Sequence, residues 1–169
     1  MKTTSQRRNS KFRFHILTVG LAVVLCAACH KDNTSASSNQ PVSIYGNVSS
    51  PDWVVDSLYD YNSSMTAVVT VSALSLTDDG PNIEPSIDES DLLAAFCGEE
   101  CLGTASPDDE GRFFLFIQSP SNAGQQVDLL YYSAHYRNIF LAETPIAFVG
   151  GAQCGTSVEP MDLRFVVKD

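Results

Sequence analysis

Apolar and alternating segments of strand length recur along the chain from residue 65 onward. In Met65–Ala73, β-branched residues dominate and hydroxyl side chains return at intervals, which is the pattern of a strand with one wetter face. Arg112–Ile117 is apolar at almost every position, so we expect a central strand that is covered on both faces. Further strands are predicted at residues 126–134, 139–143, 146–149 and 161–167. No segment keeps helical spacing for three turns.

A turn containing glycine separates two further short apolar segments. Leu92–Phe96 and residues 101–105 flank the turn Gly98-Glu99-Glu100, a pattern that predicts a β-hairpin. With this hairpin, seven or eight short strands fall between residues 51 and 169. The predicted fold class is therefore all-β, an antiparallel immunoglobulin-like β-sandwich, with a flattened barrel as the main alternative.

The N-terminal segment has a different pattern, with an uninterrupted apolar run at Ile16–Leu25 behind five basic residues. This run is shorter than the roughly 20 apolar residues of a membrane-spanning helix, and the layout is that of a secretory signal peptide. Because it ends in Ala27-Ala28-Cys29, it looks like a bacterial lipoprotein signal, cleaved after residue 28. An ordinary signal peptide with incidental cysteines is the alternative. We predict lipidation of Cys29 and anchoring at the bacterial cell envelope, in the outer membrane.

Residues 29–50 are rich in serine and asparagine and contain little that could be buried. That composition predicts a flexible tether. Only Val42, Ile44 and Tyr45 could pack, as a short early strand. Residues 51–169 are long enough for one compact domain with its own core, and they contain no internal repeat.

The charge of the chain changes once the predicted leader is removed. Five of the ten basic residues lie in that leader, which leaves five against 20 acidic residues and a formal net charge of −15. Such a surface repels nucleic acid, whose binding depends on cations that neutralise phosphates. It also repels anionic lipid headgroups, so membrane contact is expected through the acyl anchor alone. A strongly acidic surface favours solubility and attracts divalent cations.

Residues 91–105, Asp-Leu-Leu-Ala-Ala-Phe-Cys-Gly-Glu-Glu-Cys-Leu-Gly-Thr-Ala, resemble a module that recurs in surface and secreted proteins of Bacteroidetes. The similarity extends over about residues 53–165, from an aromatic-rich entry at Trp53 through a Gly-x-Phe-Phe-Leu strand. Cys97 and Leu102 depart from the module, which usually has a branched apolar residue and an arginine there. The resemblance implies an immunoglobulin-type sandwich at the cell surface and implies no active site.

Three cysteines remain for the domain if Cys29 carries lipid. The envelope permits disulfides, and Cys97 and Cys101 would face each other across the hairpin turn. A disulfide between these two is the main expectation, and a bond to Cys154 or buried thiols are the alternatives. The domain contains a single histidine, His135, so a zinc site is not expected.

Acidic residues in the predicted loops are candidate calcium ligands. Asp78, Asp79, Asp88 and Asp91 place hard oxygen atoms on loops, as calcium requires, although the EF-hand spacing is absent. The alternative is that aspartate stands there because turns favour its side-chain hydrogen bonds. No other cofactor is expected. The chain has no Gly-x-Ser-x-Gly motif, and Cys154 lies in a glycine-rich loop rather than at a helix start. No catalytic residue is predicted.

Aromatic side chains are the remaining candidates for ligand binding. Trp53, Tyr132 and Tyr136 could stack on sugar rings if their faces are exposed, and packing in the core is the alternative. The sequence therefore predicts a non-enzymatic, envelope-anchored lipoprotein that serves in adhesion, in scaffolding or in ligand binding, with a protein or polysaccharide partner. Glycan binding through exposed aromatic residues is the second hypothesis, and a small hydrolase is a third.

Overall fold

The computed structural model describes residues 43–55, 61–119 and 124–168. The predicted signal peptide, Cys29 and the first part of the predicted tether lie outside these residues. The described residues all belong to one compact unit, residues 40–169.

The described residues confirm the all-β prediction, because they form nine strands and no helix. Seven strands have five residues or more, close to the predicted number, and two have two residues each. The strands are β1 (Ser63–Ser75), β2 (Leu92–Cys97), β3 (Glu100–Ala105), β4 (Phe113–Ser119), β5 (Gln126–Ser133), β6 (Asn138–Ala142), β7 (Ile146–Ala147), β8 (Gln153–Cys154) and β9 (Met161–Val167). The predicted hairpin is present as β2 and β3, and Gly98 in its turn has a φ of 63°, a conformation that favours glycine.

The strands form one mixed sheet in the order β3-β2-β5-β6-β9-β1-β4, with β7 beside β5 and β8 beside β1. The expectation of a purely antiparallel fold is wrong, because β1 pairs in parallel with both β9 and β8. A strand keeps the same alternation of inward and outward side chains whichever way its neighbour runs. The sequence pattern therefore contains no information on the direction of these pairs.

The sheet curls until its two end strands, β3 and β4, come into contact. At this seam, a side chain at Gly103 would overlap the backbone carbonyl oxygen of Phe116. The absence of a side chain at residue 103 thus lets the two strand backbones approach, and the sheet nearly closes into a barrel.

The inward-facing side chains form one core. Tyr131 lies at its centre, with its ring centroid 5.9 Å from that of Phe113, 6.0 Å from Phe140 and 5.6 Å from Phe165. All four side chains are fully buried, and they come from β5, β4, β6 and β9. Aromatic contacts of this kind link strands that are distant in the sequence.

Residues 43–55, which we call the strap, lie against the outside of the barrel. The N–H groups of Gly46 and Val48 each donate to backbone carbonyls, those of Tyr136 and Arg137, at 2.9 Å. Further along, the ring of Trp53 lies 5.8 Å from that of Phe96 on β2. The strap thus runs from the turn between β5 and β6 across the outer face toward β2. These backbone bonds attach Gly46 and Val48 to the domain, within the stretch for which the sequence predicts a flexible tether.

Strand β4 was predicted to be a central strand covered on both faces, and this prediction is wrong. It stands at one end of the sheet order, with Phe113, Leu115 and Ile117 in the core. Phe114 and Phe116, on its outer face, are 50% and 49% exposed. A continuous apolar segment has the same composition whether or not a second layer covers its outer face, so the pattern alone could not reveal this exposure.

Candidate functional site

A cavity of about 300 Å³ lies between the strap and the outer face of the barrel. Trp53 of the strap lines it on one side, against Phe96 of β2. The other lining residues are Gly98, Glu99, Asp128, Leu130, Leu141 and Lys168. We call this space the Trp53 cavity.

Strand pairing positions the floor and wall of the Trp53 cavity. Phe96 stands opposite Asp128 across the β2–β5 ladder, and Leu130 stands opposite Leu141 across the β5–β6 ladder. Residues that face each other in this way have side chains on the same side of the sheet. The register of three strands therefore fixes four lining residues on one rigid surface.

The rim of the cavity carries both signs of charge. Glu99 and Asp128 supply carboxylates and Lys168 an ammonium group, and all three residues are exposed. The backbone N–H of Lys168 donates to the carbonyl of Ile139 at 3.0 Å, which holds the end of β9 beside the cavity. The arrangement combines an aromatic wall, an aliphatic floor and polar groups at the edge, the usual make-up of a small-ligand site.

The side chains that line the Trp53 cavity include no hydroxyl, thiol or imidazole group among the described residues. Nucleophilic catalysis by serine, threonine, cysteine or histidine uses such groups, and the titratable side chains in this lining are those of Glu99, Asp128 and Lys168. The lining can bind an apolar ring face and exchange hydrogen bonds with polar substituents at its edge.

Of the three aromatic residues predicted as sugar platforms, only Trp53 lines this cavity. Tyr136 is 7% exposed, and its ring packs against those of Tyr45, His135 and Phe140. Its hydroxyl donates to the backbone carbonyl of Glu84 at 3.1 Å. Tyr136 is therefore a packing residue with a satisfied hydroxyl, and the expectation of an exposed ring face is wrong for it.

Tyr132 is also buried, with 5% exposure, and it cannot present a ring face to a ligand. It stands on the outer face of β5, opposite Leu92 of β2 and Ile139 of β6. The expected exposure of Tyr132 is wrong, because its ring, which alternation places on the outer face of β5, is covered there.

The four predicted calcium ligands belong to two separate turns with different partners. In the second turn, the N–H of Asp88 donates to Oδ2 of Asp91 at 3.0 Å. Oδ1 of Asp88 accepts from the N–H of Ser90 at 2.9 Å, and this bond holds the pKa of Asp88 below its usual value. Both carboxylates thus accept hydrogen bonds within their own turn, as turn-forming aspartates do.

The first turn, with Asp78 and Asp79, surrounds a guanidinium group. Arg164 donates to the backbone carbonyls of Asp78 and Gly80 at 2.9 Å each, and it forms an ion pair with Glu143. A cation already lies where the loop carbonyls converge. In the part of the chain that the structure describes, no three His, Cys, Asp or Glu side chains are grouped to hold a metal ion.

A wider depression of about 440 Å³ lies between the turns at residues 87–89 and 107–111, and its walls are mostly acidic. Asp108 there accepts from Nε and Nη2 of Arg112 at 2.9 and 2.7 Å. The Arg112 side chain holds the pKa of Asp108 below its usual value, with backbone N–H groups adding to the effect. Asp108 therefore accepts hydrogen bonds from residues of its own turn, as Asp88 does.

Asp91 has a role that sequence reasoning missed. It is fully buried, and its Oδ2 accepts from the hydroxyl of Tyr131 at 2.6 Å while Oδ1 accepts from the N–H of Ala134 at 2.8 Å. Burial raises the pKa of Asp91, and burial together with this carboxylate raises the pKa of Tyr131. The pair links the start of β2 to β5 within the core. The sequence offers little to predict this pair. Asp91 directly precedes the apolar segment of β2, and Tyr131 lies forty residues later in another strand.

The predicted disulfide between Cys97 and Cys101 is not formed in the structure. Cys101 stands opposite Phe96 rather than Cys97, because the ladder between β2 and β3 shifts register after Ala95. Cys97 packs toward the core, whereas Phe96 beside it faces the Trp53 cavity. The two sulfur atoms therefore belong to opposite faces of the hairpin, where a disulfide requires converging Cβ vectors.

Comparison with known proteins finds no protein-family model, no curated protein and no solved structure that matches the chain. Within the described residues, no helix is long and apolar enough to cross a membrane.

Proposed function

We propose that the mature protein is a non-enzymatic binding module, held at the bacterial cell envelope by lipid on Cys29, and that it binds a saccharide in the Trp53 cavity. The observation that carries the proposal is the cavity itself. It combines Trp53 and Phe96, an aliphatic floor at Leu130 and Leu141, and a charged rim.

A saccharide fits this set of side chains by its chemistry. A pyranose has C–H groups on its ring faces and hydroxyl groups around its edge, so aromatic and aliphatic side chains meet the faces. The carboxylates of Glu99 and Asp128 accept hydrogen bonds from hydroxyl groups, and the ammonium group of Lys168 donates to them. Tryptophan offers the largest ring for such contact.

Sequence features support the location. The leader that ends at Cys29, the polar residues that follow it and the net charge of −15 favour a soluble domain displayed from an acyl anchor. The similarity of residues 53–165 to the Bacteroidetes module favours the same location. We include in the proposal that the nearly closed sheet is a variant of that module's immunoglobulin-type sandwich, and that adhesion to glycan-bearing surfaces is its role.

The chain offers a direct test of ligand binding, because Trp53 is its only tryptophan. Titration of the protein with the sugars that score on a glycan array should change the intensity and wavelength of Trp53 fluorescence as the ring loses water. Replacing Lys168 with Ala, which keeps the fluorophore, should weaken the response. Val158→Ala is the matched control, since Val158 is exposed and lies outside the cavity. A blank array, or no change of Trp53 fluorescence with any sugar that scores on the array, would contradict the proposal.

The anchor requires its own experiment. Incorporation of radiolabelled palmitate in a bacterial host should be lost in Cys29→Ser and retained in Cys26→Ser, the neighbouring cysteine of the leader. Unchanged labelling of the Cys29→Ser variant would contradict lipidation at this residue.

A further inference from the structure

Two exposed carboxylates, those of Glu99 and Asp128, stand on the rim of the Trp53 cavity. Among the described residues, neither side chain has an ion-pair or hydrogen-bond partner. Arg112 and Arg164, by contrast, both have carboxylate partners. The rim carboxylates are therefore available to a ligand. Together with the acidic surface of the mature chain, they favour a positively charged group in that ligand.

The same end of the cavity carries two aromatic rings. The ring centroids of Trp53 and Phe96 are 5.8 Å apart and the ring planes are inclined at 75°, so the two rings form a corner. Both side chains are partly buried, which leaves some ring surface open to the cavity. Phe96 stands opposite Asp128 across the β2–β5 ladder, and Glu99 lies three residues further on in the hairpin turn. Two rings and two carboxylates thus share one end of the cavity.

This combination of groups suits an ammonium group. The face of an aromatic ring attracts a cation through the quadrupole of the ring, and a carboxylate attracts the cation by its charge. A neutral hydroxyl group at the same place would gain a hydrogen bond to a carboxylate. An ammonium group would gain a stronger, charge-assisted hydrogen bond and the contact with the rings as well.

Lys168 lies at the opposite end of the cavity. Its backbone N–H bonds to Ile139 of β6, and Ile139 stands opposite Tyr132 of β5. Tyr132 is four residues along β5 from Asp128, so two strand spacings and four residues separate Lys168 from Asp128. These correspond to about 10 Å across the sheet and about 13 Å along it. The charge of the rim therefore changes sign from one end of the cavity to the other.

This change of sign gives a ligand with one ammonium group a defined orientation. Its ammonium group would lie against the rings and carboxylates, because Lys168 would repel a cation at the far end. Hydroxyl groups or an acidic group suit the far end, since the Lys168 side chain donates hydrogen bonds and carries positive charge. The aliphatic floor at Leu130 and Leu141 lies between the two ends and can meet a sugar ring face.

We infer that the saccharide bound in the Trp53 cavity is an amino sugar with a free, protonated amine, held between the rings of Trp53 and Phe96 and the carboxylates of Glu99 and Asp128. The inference rests on the saccharide site proposed above and narrows its ligand class. Acetylation of the amine removes the positive charge at the same position of the sugar. The site should therefore prefer the free amine to the N-acetylated form.

Isothermal titration tests the inference on the mature protein, with Cys29→Ser in every sample so that no lipid is attached. The matched probes are the chitin disaccharide, in which both amines are acetylated, and the same disaccharide with one amine free. At a mildly acidic pH and low ionic strength, we expect the free-amine form to bind about tenfold more tightly. Trp53 fluorescence, followed in parallel titrations, reports whether the ligand reaches the cavity.

Charge variants separate the cation site from the acidic surface as a whole. Glu99→Gln with Asp128→Asn should remove most of the preference for the free amine. Glu159→Gln with Asp79→Asn removes the same charge from exposed positions outside the cavity and should keep the preference. Unchanged melting temperatures would show that both double variants are folded.

The outcomes distinguish this inference from the proposed function. Equal or tighter binding of the acetylated form would overturn the inference and leave the saccharide site in place. The same holds for a response to neutral sugars of the array but to neither disaccharide. A preference that survives in Glu99→Gln with Asp128→Asn, or that both double variants lose equally, would also overturn the inference. No response to any saccharide would contradict the proposed function and the inference together.

Discussion

The two outer surfaces of the barrel have similar residues and opposite environments. On β5, the outward side chains Leu130 and Tyr132 are 6% and 5% exposed, beneath the strap. On β4, the outward side chains Phe114 and Phe116 are 50% and 49% exposed. In the sequence these four side chains are all apolar, although β5 also carries Asp128 on its outer face. Residues 43–55 attach on the side of β5, at Tyr136, Arg137 and Phe96, and in the part of the chain that the structure describes the outer rings of β4 stay half exposed.

This comparison separates what a strand determines from what its surroundings determine. Alternation along a strand decides which side chains point inward and which point outward. Whether an outward side chain is buried depends on another segment, and the strap is connected to its surface through backbone bonds to Tyr136 and Arg137. Arg137 has a φ of 51°, so the turn that receives the strap has an unusual backbone conformation.

The two surfaces also differ in shape. The covered surface gains a wall, because Trp53 comes from the strap while the floor comes from the sheet. The open surface has no second layer, and its rings form a flat face. A domain of this size can thus present a walled cavity and an open platform without any change in the sheet itself.

Removing the covered ring should have the largest effect on stability. Tyr132→Ala leaves a space between strap and sheet, and we expect the free energy of unfolding to fall by about 3–5 kcal/mol, the range for buried aromatic residues. Urea denaturation followed by circular dichroism measures this change. Tyr132→Phe keeps the ring and should change stability far less. A loss below about 1 kcal/mol in Tyr132→Ala would mean that the strap does not pack on this surface in solution.

Much of the barrel follows from local pattern. The hairpin of β2 and β3 was predictable because Gly98 lies between two short apolar segments, and its positive φ agrees with the turn. The inward position of Phe165 follows from alternation in β9. The parallel direction of β9 beside β1 could not be predicted, because pairing direction depends on the path of the chain between strands and leaves alternation unchanged.

The candidate sites were predictable only in part. Trp53 was found by residue type alone, as an aromatic side chain that could stack on a sugar ring. The exposure of Phe114 and Phe116 was missed, because their segment reads as a buried strand. The calcium hypothesis relied on acidic residues whose oxygen atoms serve backbone donors, as at Asp91, or whose loop surrounds Arg164. Such local use of a carboxylate cannot be seen in its sequence neighbours.

A smaller effect should follow from a change of pH, because the two halves of the barrel use aspartate differently. The folded-state pKa of Asp91, beside β2, is raised by burial, whereas that of Asp108, before β4, is lowered by Arg112. The contribution of Asp91 is therefore fully present below its unfolded value of about 3.9 and is lost as the pH rises through its folded pKa. The contribution of Asp108 has the opposite sign and is lost as the pH falls.

Urea midpoints measured from acidic to neutral pH test these signs. The stability advantage of the wild type over Asp91→Asn should shrink with rising pH, by about 1.4 kcal/mol for each unit by which folding raises the pKa. The advantage over Asp108→Asn should grow with rising pH instead. Parallel curves for the wild type and Asp91→Asn would contradict a raised pKa at Asp91.

The smallest effect on stability is expected on the open surface. Phe116→Ser removes a ring that is already half in water, and its backbone, which packs against Gly103, stays in place. We therefore expect the free energy of unfolding to fall by about 2 kcal/mol, clearly less than in Tyr132→Ala, in the same urea experiment. Thr104→Ala, an exposed position on the neighbouring strand β3, provides the control for a neutral surface change. A loss as large as that of Tyr132→Ala would mean that Phe116 is covered in solution, and the two surfaces would then no longer differ.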